Sequence, residues 1–342
     1  MKSRLDPAAS AVLCRLLRAA LGTSHELVNL AAVPAGRWPD VLAAARAHTV
    51  SALVFRAVER SGQAEQLPAA VCMALLTDAE RLAARSRRMQ CVSEACLASA
   101  AGDGLSLLPM KGPAVAAFYP EPDLRVSGDL DFYVPAVCRP LAAAWLRRMG
   151  SPVEEKPDGS LAGKVDGIDV DLHSDYFDLP VPVRRRPPVP SPEAVLLQLS
   201  LHVLKHVMGP GAGLRQVCDV AMACRALAGQ YDRAALLEAF RASGTLRWNR
   251  VLSAFIHRHL GVDTGWFPGR REVSCRPLED IVFSGGNFGH HGTGRTSALH
   301  GASVWRRKAD TALRFVRRAP FMLRCAPRPY LRHILLLAGG NL

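Results

Sequence analysis

The sequence predicts an α+β fold, in which a small mixed β-sheet core is flanked by N-terminal and C-terminal helical regions. Three observations predict it. The first hundred residues repeat apolar side chains at helical spacing, and residues 104–173 contain short runs that alternate with period two. Beyond residue 193 the spacing becomes helical again. A period of 3.6 residues indicates helices, whereas a period of two indicates strands with one buried face.

These patterns divide the 342 residues into five regions. They are an N-terminal helical region at 1–103, a β-containing core at 104–182, a Pro- and Arg-rich linker at 183–192, a C-terminal helical domain at 193–283, and a Gly- and His-rich loop with a basic helical tail at 284–342. The linker follows from its prolines, which fix φ and lack an amide proton.

Three helices are predicted before the core. Asp6 and Pro7 are an N-cap and a first helical position, and Gly22 ends the helix that follows. Apolar residues at helical spacing predict one helix over 39–60, and an Ala- and Arg-rich stretch predicts another over 68–101.

Turn residues separate the predicted elements of the core. A strand ends at Pro109, a brief helix covers 113–119, a strand covers 130–134 and a helix covers 136–149. Asp166-Gly167 lies between two alternating runs over 160–173, which predicts a β-hairpin. Ser191 is then expected to cap a long helix over 193–208.

Bulk composition excludes several classes of protein. A hydrophobic content of 49% excludes a disordered chain, and no apolar run reaches the roughly 18–20 residues that span a bilayer. The nine cysteines are scattered without a CxxC pair, and charged residues interrupt any signal-peptide core. These features predict a cytoplasmic protein. The net charge of +13 favours an anionic partner.

Two short strands carry the residues that point to chemistry. Asp129 and Asp131 lie two apart on a strand, so both carboxylates point to the same face. Such a pair needs a cation between its members, and Mg²⁺ prefers carboxylate and phosphate oxygens. A second strand places Asp169, Asp171 and His173 on one face in the same way. A solvated edge strand is the alternative for the first pair, and either Asp169 or Asp171 could supply the third carboxylate.

Phosphate contacts are predicted beside these carboxylates. Lys111-Gly112 forms a strand-to-helix turn in which backbone amides can approach a phosphate, and Gly128 precedes the first carboxylate. Arg125 is a fork-shaped phosphate donor, although it could instead pair with a neighbouring Asp. A surface lysine after the strand is the alternative for Lys111, and the phosphate contact is preferred.

A later helix contributes a third group. His202 and His206 are four residues apart and share a face, which they would place beside Lys205 to line the nucleotide cleft. The spacing could also serve zinc, but Val203 stands where a zinc protease has glutamate, so cleft lining or plain helix packing is preferred. Asp219 lies four residues after Arg215 and could be its structural partner.

The order of these motifs resembles the uncharacterised bacterial nucleotidyltransferase family of the polymerase-beta-like nucleotidyltransferase superfamily. The resemblance covers roughly 105–225 and rests on the segments LLPMKG, AFYPEPDLRVSGDLDFYV, VDLHSDYF, SPEAVLLQLSLHVLKH and LRQVCDVAMACRA. It implies that Asp129, Asp131 and Asp171 are catalytic metal ligands for two Mg²⁺ ions. It also implies that the Lys111-Gly112 turn holds the triphosphate of ATP or another nucleoside triphosphate, although Lys and Pro113 depart from the usual superfamily turn.

The implied function is transfer of a nucleoside monophosphate, AMP by default, to a hydroxyl or phosphate of a small-molecule, peptide or saccharide acceptor. Members occur in biosynthetic gene clusters, which suggests tailoring of a natural product. The alternatives are a nucleotide-binding regulatory protein on a degenerate fold and an RNA-directed nucleotidyltransferase. Nucleic acid is not favoured, because no RNA-binding module is recognisable.

The basic charge is concentrated in the tail. Nine Lys and Arg residues follow residue 301, against Asp310 alone. The preferred interpretation is a helix docked on the body of the protein. Peripheral contact with an anionic membrane or with nucleic acid is the alternative. Deleting the tail is expected to spare nucleotide binding.

Overall fold

The computed structural model describes residues 6–24, 26, 28–150, 152–156, 158–209, 211–268, 273–286 and 304–338. Side chains are described in these ranges except at 285, 304–312 and 336–338. Most of the predicted glycine-rich loop at 284–301 lies outside the described residues.

Helices make up most of the described chain and precede, interrupt and follow the strands. In chain order they are α1 Pro7–Ala20, α2 Trp38–Ala47, α3 Ser51–Ser61, α4 Ala69–Gly102, α5 Pro113–Ala116, α6 Arg139–Arg148, α7 Pro192–Met208, α8 Leu214–Ala226, α9 Arg233–Ala242, α10 Leu246–Leu260, α11 Arg276–Gly285, α12 Val304–Cys325 and α13 Pro327–Ala338. Together with one small mixed sheet, they confirm the predicted α+β class.

Local sequence signals explain several helix boundaries. The Asp6 carboxylate accepts a hydrogen bond from the backbone amide of Ala8 at 3.1 Å, and the Ser191 hydroxyl caps α7 in the same way. The single helix expected over 39–60 is wrong, because the chain divides it into α2 and α3. Thr49 adopts a left-handed φ of 54° there, and the buried ring of His48 accepts a hydrogen bond from the amide of Leu214.

The sheet has five strands in the order β1-β2-β5-β4-β3. Their bounds are β1 Leu108–Pro109, β2 Leu130–Tyr133, β3 Glu154–Glu155, β4 Leu161–Val165 and β5 Ile168–His173. β2 and β5 run parallel, and the other neighbours run antiparallel. The β4–β5 hairpin turns at Asp166 and Gly167, both with positive φ, which confirms the predicted turn.

Two hydrophobic cores meet along one long helix. The sheet, α6 and the second half of α4 form the smaller core, while the N-terminal and C-terminal helices share the larger one. Val71 and Leu75 of α4 belong to the larger core, whereas Val92 and Cys96 belong to the smaller one. The helical regions on either side of the sheet therefore pack against each other.

The basic tail is docked on the larger core. Phe315, Met322 and Tyr330 are buried in it, and the Arg318 guanidinium donates to the carbonyl oxygens of Val207, at 2.8 Å, and Gly209 at the end of α7. Deleting the tail would therefore uncap α7 and uncover the core, so deletion does not isolate the role of its charge. None of the helices described here is long and apolar enough to cross a membrane.

Candidate active site

The two central strands bring Asp131 and Asp171 side by side. In the parallel β2–β5 register Asp131 pairs with Asp171, so the two carboxylates project from the same face of the sheet. Their side chains are buried, with residue exposures of 9% and 7%. Two buried like charges in adjacent positions require compensation by cations.

Asp129 lies just before β2 and is half-buried. Burial raises its pKa above the ordinary value for aspartate, and the negative charges of Asp131 and Asp171 raise it further. Lys111 and Arg215 oppose this effect without cancelling it. Asp129 therefore belongs to the same electrostatic group as the strand carboxylates.

The structure distinguishes the two carboxylates of β5. Asp169 has a side chain that is 58% exposed, and its carboxylate lies 2.5 Å from Lys164 on the neighbouring strand β4. Asp171 faces Asp131 instead. Asp171 is thus the residue placed to act as third carboxylate, although its role as a ligand stays a prediction.

Lys111 is buried between two carboxylates. Its Nζ lies 3.4 Å from Asp131 Oδ1 and 3.3 Å from Asp178 Oδ1. Burial alone would lower the pKa of the Lys111 amine, but Asp178 and Asp131 outweigh it and raise the pKa, so the amine is charged. The surface-lysine alternative is therefore wrong, and the predicted contact with phosphate remains a prediction.

The Gly112 turn fits closely over the loop that leads into β2. Gly112 has φ 52°, and a Cβ added there would lie 3.2 Å from the carbonyl oxygen of Asp129. Only glycine tolerates both the positive φ and the close backbone contact. The following helix α5 has four residues, so its dipole adds little to anion binding. Gly128 is exposed, and its carbonyl accepts a hydrogen bond from Arg85 at 2.9 Å.

His173 and Lys156 complete the contacts of the strand carboxylates. His173 Nε2 lies 2.6 Å from Asp131 Oδ1, and Lys156 Nζ lies 2.5 Å from Asp171 Oδ2. Burial alone would raise the pKa of Asp131, but Lys111 and His173 hold it well below the ordinary value. The Lys156 side chain is 40% exposed and can move aside, whereas Lys111 is enclosed.

Asp178 is the site residue that the sequence did not reveal. Its side chain is 5% exposed, and it receives His202 Nδ1 at 2.9 Å and Lys205 Nζ at 3.4 Å in addition to Lys111. Gln198 donates to it at 2.7 Å. Burial alone would raise the pKa of Asp178, but these cationic neighbours, Lys111 first, hold it far below the ordinary value. Asp178 joins the sheet to α7.

The histidine pair of α7 lies beside this carboxylate. His206 Nε2 is 3.2 Å from His202 Nε2, and the rings meet edge to face. Burial, followed by the neighbouring His202, lowers the pKa of His206 well below the ordinary value. The structure thus groups His202, Lys205 and His206 as predicted, around Asp178. Their contact with nucleotide stays a prediction.

Arg125 is buried and binds a carboxylate of α8. Its guanidinium binds the Asp219 carboxylate of α8 at 3.0 and 2.6 Å and the Ser127 hydroxyl at 2.6 Å. Tyr119 donates to the same carboxylate at 2.7 Å. Arg125 therefore has a structural contact here, with neither of the neighbours expected from sequence, and its phosphate contact remains a prediction. The predicted Arg215 partner of Asp219 is replaced by Arg125.

Arg215 is a second cation that sequence reasoning placed elsewhere. Its guanidinium donates to the carbonyl of Val126 at 2.7 Å, and its charge lowers the pKa of Asp129. Within the described residues its Nε has no hydrogen-bond partner. It is the second residue of α8 and lies four residues before Asp219, a spacing that suggested only a helical pair.

A cavity of about 410 Å³ opens next to His173, Asp178 and Lys205. His173, Asp178 and Lys205 line it from the site, and Arg139 and Asp158 line it from the sheet side. Its volume lies in the usual range for small-molecule sites, about 300–1,000 Å³. It therefore offers room for a substrate in contact with the predicted residues.

The donor set fits a divalent cation. Ligand atoms of Asp131, Asp171 and His173 lie within 4.8 Å of one another. Paired carboxylates suit Mg²⁺, and His173 can orient Asp131 from behind or bind directly if the ion is Mn²⁺ or Zn²⁺. The structure thus contains a candidate acidic metal-binding group at the predicted position.

Comparison with known proteins gives one match. A family model described as "Uncharacterised nucleotidyltransferase" matches residues 34–261, about two thirds of the chain. The chain belongs to this nucleotidyltransferase family. No curated protein and no solved structure matches it.

Membership identifies the protein as an enzyme that transfers nucleotidyl groups, and a nucleotide as its substrate. Every predicted site residue lies inside the matched range, as does Asp178. The nucleotidyltransferase match ends at 261, one residue after α10, so α11, α12 and α13 lie outside it.

Proposed function

We propose that the protein is a Mg²⁺-dependent nucleotidyltransferase that transfers AMP from ATP to a hydroxyl or phosphate of a small-molecule, peptide or saccharide acceptor. The observation that carries this proposal is the parallel register that sets Asp131 beside Asp171, with Asp129 in the same electrostatic group. Three carboxylates at one sheet face suit two divalent ions together with phosphate oxygens.

The residues of the chain divide the work. Asp129, Asp131 and Asp171 would hold the ions, and His173 would orient Asp131 through the 2.6 Å contact. Bound there, divalent ions would activate the attacking oxygen and neutralise the pyrophosphate that leaves. When the ions bind, Lys156 would turn from Asp171 to the solvent side, since its side chain is already 40% exposed.

The 410 Å³ cavity is the place we propose for the nucleotide. His173 and Asp178 connect it to the carboxylates. Lys205 and Arg139 are the cations of its lining, which also holds Glu155, Asp158 and Asp175. Lys111 contacts both Asp131 and Asp178, the Gly112 turn lies against Asp129, and Arg215 of α8 donates to the carbonyl of Val126. These cations are proposed to receive the triphosphate, whose charge they match.

A second candidate is a nucleotide-binding protein in which the carboxylates are neutralised by amines. The observation in its favour is that Lys111 and Lys156 already contact Asp131 and Asp171. In that case nucleotide would bind equally with and without Mg²⁺, and no phosphoryl bond would break.

We propose that the reaction takes place in the cytoplasm. All nine cysteines are free thiols, which is typical of a reducing compartment. We propose docking on the body of the protein as the role of the basic tail, because Arg318 binds the carbonyl oxygens at the end of α7.

The test compares Asp131 and Asp171 with Asp169, which lies two residues before Asp171 on β5. Asp131→Asn and Asp171→Asn are expected to lower Mg²⁺-dependent ATP affinity by about 10²-fold or more and to abolish pyrophosphate release. Replacing a direct metal ligand should reduce metal binding at least as much as replacing a residue that only supports a ligand. Asp169→Asn is the matched control on β5, since Asp169 is exposed and pairs with Lys164.

Calorimetric titration of ATP into the full chain, with Mg²⁺ and with chelator, measures the affinity. Labelled ATP with a panel of acceptors measures turnover. Equal affinity with and without Mg²⁺ in the wild type would support the second candidate and contradict the first. An equal effect of the Asp169 and Asp171 replacements would also contradict the assignment.

A further inference from the structure

A second group of metal-binding side chains lies where α10 meets α11. His259 is the second-last residue of α10, Cys275 is the N-cap of α11, and Glu279 follows one turn later. The possible ligand atoms of these three residues lie within 4.8 Å of one another. None of the three belongs to the candidate nucleotidyltransferase site, and Cys275 and Glu279 lie outside the range matched by the family model.

Two of the side chains, His259 and Cys275, converge on one carboxylate oxygen of the third, Glu279. His259 Nε2 lies 2.8 Å from Glu279 Oε1, and Cys275 Sγ lies 3.3 Å from the same atom. Ligands of one tetrahedral Zn²⁺ stand about 3.3–3.8 Å apart, given metal–ligand distances of about 2.0–2.3 Å. The three ligand groups would therefore need to move apart only slightly to admit the ion.

The surroundings hold the imidazole in place. Cys14 Sγ of α1 lies 3.9 Å from His259 Nδ1, and the rings of Phe255 and Phe283 pack against the imidazole. Nε2 of the ring faces Glu279, while Nδ1 has Cys14 as its own neighbour. A ring oriented through its second nitrogen is typical of a metal ligand.

A cavity of about 320 Å³ gives access to this group. His259 and Glu279 line it, together with Arg258, Arg276 and Ser10. A site with three protein ligands and an open fourth position is a common zinc geometry, in which water or a small ligand fills the opening. The cavity supplies that opening.

We propose that His259, Cys275 and Glu279 bind one Zn²⁺ ion. Imidazole, thiolate and carboxylate are all zinc ligands, and the thiolate and carboxylate together carry the two negative charges that balance the ion. Binding replaces the thiol proton of Cys275, which is released to solvent. Arg258 Nε lies 3.3 Å from Glu279, but its side chain is 69% exposed and can turn away when the ion enters.

The ion would fasten α11 to α10. Cys275 and Glu279 come from the first turn of α11 and its cap, while His259 comes from the end of α10, which Arg18 of α1 holds through the His259 carbonyl at 3.0 Å. Zinc is therefore expected to raise the unfolding temperature of the full chain, because it binds the folded state alone.

The experiment uses the full chain after dialysis against chelator, titrated with Co²⁺ and then with Zn²⁺. Cobalt bound by a thiolate gives a charge-transfer absorption band, which reports Cys275 directly and is silent for the carboxylate site. We expect one equivalent of Co²⁺ to produce the band and one equivalent of Zn²⁺ to displace it. Cys275→Ser should remove the band, and Glu279→Gln should weaken zinc binding by about 10-fold or more.

Two variants serve as controls. Cys91→Ser removes an exposed thiol of α4 and should leave the band unchanged, and Asp131→Asn should leave it unchanged as well. Absence of the band in the wild type, or its survival in Cys275→Ser, would overturn the proposal. If Cys275→Ser does not fold, normal zinc affinity in folded Glu279→Gln would overturn it. If the protein failed to bind ATP, that result would contradict the proposed nucleotidyltransferase function and leave the zinc proposal unaffected.

Discussion

Replacing Asp219 with asparagine removes the charge from a buried pair while keeping the shape of the side chain. The Asp219 carboxylate accepts three hydrogen bonds, two from Arg125 and one from Tyr119, and the side chains of the ion pair are 6% and 4% exposed. The variant leaves the Arg125 guanidinium buried without its counter-charge. Breaking such a pair costs about 3–5 kcal/mol, which lowers the folding equilibrium constant by roughly two to four powers of ten.

Unfolding in urea, followed by circular dichroism, measures this loss. Asp123→Asn is the control, because Asp123 lies two residues before Arg125 and pairs with Arg87 at 3.2 Å through side chains that are 39% and 57% exposed. Exposed pairs contribute about 0.2–1 kcal/mol. Replacing both partners together, Arg125→Met with Asp219→Leu, should recover much of the loss, because no charge then remains buried. Equal effects of Asp219→Asn and Asp123→Asn would refute the reasoning.

The same pair gives a pH dependence with a definite sign. Burial alone would raise the pKa of Asp219, but Arg125 outweighs it and lowers the pKa below the ordinary value. The stabilisation is therefore complete above the unfolded value of about 3.9 and is lost as the pH falls through the lowered folded pKa. The stability difference between wild type and Asp219→Asn should stay constant from neutral pH to mild acid. A difference that disappears near neutral pH would contradict this.

Three further outcomes are expected. Gly112→Ala should cost about 1–3 kcal/mol in thermal unfolding because of its positive φ and close contact, whereas Gly102→Ala, with open space around it, should not destabilise. Arg318→Ala should lower both stability and ATP affinity, since it uncaps the helix that carries the histidine pair; unchanged ATP affinity would separate the tail from the site. A thiol reagent should label Cys91 first in the native protein, because Cys91 is exposed and the other cysteines are buried or partly buried. Mass spectrometry of the labelled peptides measures the order, and earlier labelling of another cysteine would contradict the prediction.

The parts of the fold that were predictable depend on neighbours in sequence. The Asp166-Gly167 turn, the Ser191 cap and the alternation around Asp131 each follow from a few adjacent residues. The carboxylate face was therefore predictable, because period two places Asp129 with Asp131 and Asp169 with Asp171 whatever the tertiary structure.

The parts that were missed depend on partners distant in sequence. Choosing Asp171 over Asp169 requires the parallel register of β2 and β5, which no local pattern specifies. Asp178 follows β5 in an irregular segment, so nothing in its spacing announces that Lys111 and His202 converge on it.

The length of α4 restricts how the protein can move. A helix of 34 residues extends about 51 Å, and α4 is packed into one hydrophobic core by its first half and into the other by its second half. If the sheet rotated away from the helical half, α4 would have to bend, or one of its ends would have to leave its hydrophobic core. Opening and closing around a substrate should therefore occur by small sliding of packed side chains, as in shear motions, and not by a wide hinge. Turnover would then be paced by local rearrangement of side chains such as Lys156, which contacts Asp171 and is 40% exposed.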